Sequence, residues 1–260
     1  MLLPAAMLLL PAGCKQENAP GGRPRPGEVV TNAIGMKLVY VPPGEFTMGS
    51  AVDEAGRHED EVQHHVTISR GFYIAVTEVT QGQWQRIMGF NRSETKGDDL
   101  PATRLSWHHA VEFCKRLTKA EGRTCRLPTE AEWEYACRAG STGPFGGTGK
   151  LDEMGWHMDN SGERPHPVGG KKPNAWGLHD MHGGVFEWCA DYYQRDYPAE
   201  AVTDPRGPAT GKYRAARGGS WGHFARACRS AARVSFNPAY QLEQVGLRVV
   251  MEPTEHSNGR

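Results

Sequence analysis

The 260 residues predict a single mixed α+β domain in which loops outweigh regular structure. Three observations carry that expectation. Three segments open with a Ser or Thr helix cap, several short apolar runs broken by Pro or Gly read as strands, and 32 glycines with seven tryptophans suit a loop-rich fold better than a helical bundle. Hydrophobic residues at 38% and charged residues at 23% sustain a packed core. Thirty basic residues balance thirty acidic ones, so no nucleic acid and no anionic membrane surface is expected as a partner.

The opening stretch, "MLLPAAMLLLPAGC", is apolar but too short to span a bilayer as a helix, which takes about 20 residues. An apolar run ending at small residues is a secretion signal. Its ending "LPAGC" resembles a bacterial lipoprotein signal, with Pro11 standing where Leu is usual and no Lys or Arg before the run. That resemblance implies lipidation at Cys14, placement in the bacterial cell envelope (periplasmic or surface side), and membrane contact through a lipid anchor only. An ordinary cleaved signal with an incidental cysteine is the plainer reading. Residues 15–31, rich in Pro, Gly and polar side chains, read as a flexible tether, residues 32–251 as the domain, and 252–260 as a disordered tail. Five further cysteines remain, an odd number, so at least one stays unpaired within the chain. No C-x-x-C and no zinc-type Cys/His spacing occurs, and the pairing stays open.

"GMKLVYVPPGEFTMGS" reads as two short strands broken at Pro42-Pro43, and "HVTISRGFYIAVTEVT" as strands again. Between them lies a charged loop, Asp53–His65, taken as solvated; H-E-x-x-H fails because Val62 occupies the second histidine position. A helix begins after Thr80, with Gln83 completing a capping box, and stops at Gly89. A second begins after Ser106, with Trp107, Ala110, Val111, Cys114 and Leu117 on one face, which makes Cys114 a core residue. A third begins after Thr129, with Glu132 as its box partner and Glu130 in the first turn, and capping accounts for both carboxylates. After Gly140 about ninety residues read mostly as loop, which needs cations or disulfides to brace it. Short strands return at "YRAARGGSW", "CRSAAR" and "VGLRVV".

Five segments, "PPGEFTMGS", "EVTQGQW", "RLPTEAEWEYACRAG", "NAWGLHDMHGGVFEWCADYY" and "RGGSW…CRSAAR…GLRVV", resemble in order the formylglycine-generating enzyme (sulfatase-modifying factor) family. The resemblance implies an irregular C-type-lectin-like fold with a small antiparallel sheet, a few helices and long loops. It also implies a structural Ca²⁺ held by Asp180, Gly183, Val185 and Glu187, oxygen ligands that suit a hard cation. Gly184 and Phe186 depart from the usual "GNVWEW". Asp159–Gly169 falls where the family has a second calcium site.

Enzymes of this family hold Cu(I) with two cysteines four residues apart after the GGS[YFW] turn, and soft thiolates suit that ion. Here "GHFARACRSAAR" follows Trp221 and supplies only Cys228, so the copper site is not expected. Ser220 matches the groove serine, without a base or metal in view. Cys228 enters chemistry only if it is redox active. Trp221, His223, Phe224, Arg226, Arg233, Phe236, Tyr240 and Gln241 are the candidate ligand-binding residues, since aromatics and arginines concentrate binding energy. Phe224 and Phe236 have an ordinary core role as the alternative. The leading reading is a non-catalytic module binding a protein, peptide or glycan. A formylglycine-generating-type oxidoreductase, or another family enzyme acting on a protein or small-molecule thiol, is the alternative. A variable binding protein of a diversity-generating retroelement is the second.

Overall fold

A computed structural model of the chain describes residues 24–198 and 200–254. The amino-terminal signal with Cys14, most of the tether and residues 255–260 lie outside the described residues. The fold is α+β, as the sequence predicts, but with three small sheets in place of the one small antiparallel sheet expected, and two of the three include a parallel pair.

The first sheet runs in the order β1 (Val29–Thr31), β2 (Lys37–Val41), β5 (Phe72–Ala75), β12 (Val250–Met251) and β6 (Cys125–Arg126), so the two ends of the domain meet in one sheet. β1 pairs Val29 with Val39, and Gly27 N–H donates to Tyr40 O at 3.1 Å. The domain therefore starts inside the segment expected to be a tether. At the other end Glu252 is held by Thr124 O (2.9 Å) and pairs with Arg126 (3.2 Å), so ordered structure passes residue 251. A second sheet pairs β3 (Gly44–Met48), β4 (His64–Ile68) and β8 (Val202–Thr203). The third runs β10 (Val234–Phe236), β9 (Arg214–Arg217), β7 (Phe186–Tyr192), β11 (Val245–Gly246).

The helices begin where their caps predict. α1 (Gln81–Met88), α2 (Trp107–Glu121) and α3 (Glu130–Arg138) each carry a reciprocal capping box, with Thr80, Ser106 and Thr129 as N-caps. Trp84 of α1 stacks on Phe113 of α2 (5.2 Å, 3°) over the first core cluster, and Cys114 is buried there. A one-turn α4 spans Leu151–Met154.

Three further expectations fail. β7 emerges from the stretch read as loop, because its Glu187 and Asp191 are buried with partners and mask an apolar strand. "CRSAAR" is no strand: Ala225–Cys228 is a 3-10 turn, and Arg229 behind it is buried at 2% exposure. The Asp53–His65 loop is not simply solvated either, since Glu61 is 0% exposed.

Candidate functional site

β9 delivers the chain to a Gly-Gly turn. Gly218 (φ 100°) and Gly219 (φ 77°) both lie in left-handed space, and a Cβ on Gly219 would sit 2.5 Å from Cys228 Sγ. Only glycine lets the turn close onto the 3-10 segment behind it. The turn buries Ser220 completely and places its Oγ 2.6 Å from His223 Nδ1, with Gly222 N–H donating to the same Oγ at 3.3 Å. Ser220 thus has the imidazole partner that the sequence did not reveal. Burial lowers the pKa of His223, which favours a neutral ring, and that ring meets Phe186 edge-on at 4.8 Å. A neutral imidazole against a buried hydroxyl braces the turn.

Beside the turn opens a bay of about 250 Å³ lined by His58, Phe186, His223, Phe224, Arg226 and Phe236 among others. Phe224 is 55% exposed, and the Arg226 guanidinium lies 5.7 Å over its ring. Phe224 is therefore surface, not core. Phe236 is half-buried and packs edge-on against Phe186 (5.7 Å) and Trp188 (5.9 Å), so it is bay wall and core together.

The remaining expected binding residues divide. Arg233 lines the bay, but every guanidinium donor is engaged: Glu130 Oε1 and Oε2 (2.7 and 2.8 Å), Asp60 O (3.0 Å), Arg195 O (3.1 Å) and Gln194 O (3.0 Å). It is a wall and not a ligand anchor, which corrects the sequence expectation. The Trp221 backbone N–H donates to Gly184 O (2.8 Å) and its carbonyl accepts from Ser161 Oγ (2.8 Å), while its indole Nε1 is buried and unpartnered. Tyr240, 53% exposed, and Gln241, whose Oε1 accepts from Arg92 (3.1 Å), belong to a separate surface segment and do not line the bay.

Cys228 is fully buried, and burial pushes its thiol up to about 12, which keeps it protonated at neutral pH. Cys114, Cys125, Cys137 and Cys189 are buried as well.

The expected calcium ligands come together only in part. Asp180 is buried with a left-handed backbone (φ 60°); its Oδ2 accepts from Gly169 N–H (2.5 Å) while its Oδ1 is buried with no partner. Glu187 is otherwise engaged. Arg248 reaches its Oε1 (2.7 Å) and Oε2 (2.9 Å), and Trp133 Nε1 donates to Oε2 at 2.6 Å. A guanidinium already neutralises that carboxylate, so Glu187 does not fit as a calcium ligand in this arrangement. Sequence reasoning overlooked Glu78, which lies beside Asp180. Burial, then the charges of Asp180 and Glu187, push its carboxyl well above the usual range. Among the described residues no group of three or more His, Cys, Asp or Glu is gathered to hold a metal.

Sequence reasoning also missed an arginine–glutamate framework behind the site. Arg217 pairs with Glu134, Arg138 with Glu134 (2.7 Å), and Arg229 with Glu61 (2.6 Å) and Glu54 (2.7 Å). Only the i,i+4 pair of Glu134 and Arg138 had a local signal.

Comparison with known proteins follows the same outline. The chain is 28% identical to the formylglycine-generating enzyme of Streptomyces coelicolor, covering 88% of this chain and 94% of that one. It is 30% identical to the chaperone protein LppX of Paenibacillus barcinonensis, covering 60% and 71%. Among solved structures, Treponema denticola variable protein 1 superposes with a TM-score of 0.80 at 28% identity, over 87% of this chain and 99% of that one. PvdO from Pseudomonas aeruginosa superposes at 0.78 with 30% identity, over 88% and 99%. Residues 26–253 match the family described as sulfatase-modifying factor enzyme 1-like domain, and the chain belongs to that family.

Proposed function

We propose that this chain is a recognition module of the family, binding a protein, peptide or glycan through the bay and its rim. The observation that carries the reading is the pairing of an exposed Phe224–Arg226 rim with a bay whose nearest cysteine is sealed and held as a thiol. The superposition on Treponema denticola variable protein 1 supports it. The test is a random peptide library and a glycan array screened against the full chain. Binders that lose affinity on both Phe224→Ser and Arg226→Ser support the reading; binders indifferent to both overturn it.

A second reading, a family oxidoreductase, rests on the Ser220–His223 contact and on the formylglycine-generating relatives. Conversion of the cysteine in a C-x-P-x-R peptide to an aldehyde selects it over the first. Export and anchoring through Cys14 belong to the same proposal, supported by the "LPAGC" sequence. Calcium enters it as a structural brace held by Asp180 with Glu78 in place of Glu187, supported by the unpartnered Asp180 Oδ1.

A further inference from the structure

A second cavity, of about 500 Å³, lies against the same arginine wall. Arg233 lines both spaces. The cavity opens between the N-terminus of α3, the end of β7 and residues 194–198 and 201–208, and the candidate binding residues other than Arg233 are not part of it. Its walls include Tyr197, Pro198, Val202, Pro205 and Pro208, an apolar sleeve.

The charges around it are unevenly satisfied. Arg233 and Glu130 close on each other and offer nothing to a ligand. Asp191 is 4% exposed; its Oδ2 accepts from Glu130 N–H at 2.8 Å, and its Oδ1 makes no hydrogen bond to another described residue. His64 is 5% exposed, and its Nδ1 donates to Val62 O (3.1 Å), which in the neutral ring makes Nε2 an acceptor, buried and without a partner. Two unmatched acceptors on buried side chains at one cavity ask for a compact donor.

We propose that this cavity binds a primary alkylammonium group, either a lysine side chain of a partner protein or a free aliphatic amine, with its stem in the Tyr197–proline sleeve and its charge on Asp191 Oδ1 and His64 Nε2. An ammonium carries three donors and no acceptor, which complements Asp191 Oδ1 and His64 Nε2, while the buried Tyr197 hydroxyl, a donor, is turned to Glu130. Its charge also answers a carboxylate that makes no ion pair among the described residues, although the charge of Arg214 reaches it. Burial, then the charge of Glu130, push Asp191 up to about 7. Glu130 and Glu132 from α3, His64 from β4, Cys189 from β7, Arg214 from β9, Arg233, and Asp196, Tyr197 and Arg206 are the charged and titratable groups around it. Losing a proton from Asp191 favours an ammonium, so binding tightens as the pH rises.

The test is calorimetric titration of the full chain with n-butylamine, Nα-acetyl-lysine methylamide and the Nε-acetylated form of the latter. Both amines bind and the Nε-acetylated compound does not; the tighter of the two tells a protein lysine from a free amine. Asp191→Asn, which keeps an acceptor for Glu130 N–H, weakens binding at least tenfold. Ala201→Phe, at an exposed position of the cavity mouth, weakens it without touching Asp191. With a carboxyl titrating near 7, wild-type affinity rises about tenfold between pH 6 and pH 8. Undiminished binding by Asp191→Asn overturns the proposal, as does equal binding of the Nε-acetylated compound or of a neutral hexose. So does the absence of binding by either amine up to millimolar concentrations.

Discussion

Replacing Arg229 by Met removes one side chain from the middle of the molecule and strands two carboxylates. Arg229 is 2% exposed and Glu61 is 0% exposed. All five guanidinium donors are in use: Glu54 Oε1 and Glu61 Oε2 (2.7 Å each), Glu61 Oε1 (2.6 Å), Gly56 O (2.7 Å) and Arg226 O (3.1 Å). Methionine roughly fills the space of the stem and supplies none of these donors. Removing one member of a buried ion pair costs about 3–5 kcal/mol, because the remaining charge stays desolvated. For a domain of this size each kcal/mol moves the melting temperature by about 2–4 °C, giving a fall of roughly 6–20 °C. Thermal unfolding followed by circular dichroism at pH 7 reads it. Adding Glu61→Gln to Arg229→Met removes one orphaned charge and restores part of the loss. A fall below about 2 °C, or a double variant no better than the single, would refute the claim that this pair holds the 53–62 loop against the bay.

The remaining predictions concern pH, backbone, surface and cation. Burial alone would raise Glu61 and Glu130, but hydrogen bonds and charge from Arg229 and from Arg233 respectively outweigh it, and both carboxyls sit below their ordinary range. Their stabilisation is present above the unfolded-state value near 4.3 and is lost as the pH falls through the folded-state value. The melting-temperature gap between wild type and Glu130→Gln therefore narrows on acidification from pH 5; a constant gap contradicts the sign. Gly219→Ala meets both a left-handed backbone and Cys228 Sγ at 2.5 Å, and loses about 2–4 kcal/mol in a urea titration. Phe224→Ser, at a 55% exposed site, changes that stability by less than about 0.5 kcal/mol, so any effect on ligand capture is not a folding effect. Calcium added to a chelator-treated sample raises the melting temperature of wild type and not of Asp180→Ala; an equal response in both removes Asp180 from the cation site.

What the sequence disclosed followed the range of its signals. Thr80 with Gln83, Ser106, and Thr129 with Glu132 announce helices because a cap acts within four residues, and all three helices start there. The ordered family segments disclosed the fold at once. The partners of the arginines were not legible, since Arg229 reaches Glu61 across 168 positions and Arg233 reaches Glu130 across 103. Glu130 illustrates the difficulty: in the first turn of α3 it read as a dipole partner, whereas it is the buried anchor of Arg233. β7 escaped for a related reason, because Glu187 and Asp191 look like surface charges until Arg248 and the N-terminus of α3 are in view. Within the bay, the exposure of Phe224 and the engagement of Arg233 are both tertiary facts that residue type alone could not separate.

The arginine–glutamate pairs have a consequence for how this architecture can diversify. Arg229 and Arg233 grip loops 53–62 and 194–195 at their bases through carboxylates and main-chain carbonyls, while tips such as Phe224 carry none of that grip. Tip residues can then be exchanged freely across related molecules with little penalty to the frame, whereas drift at any of these few arginines would dismantle several loops together.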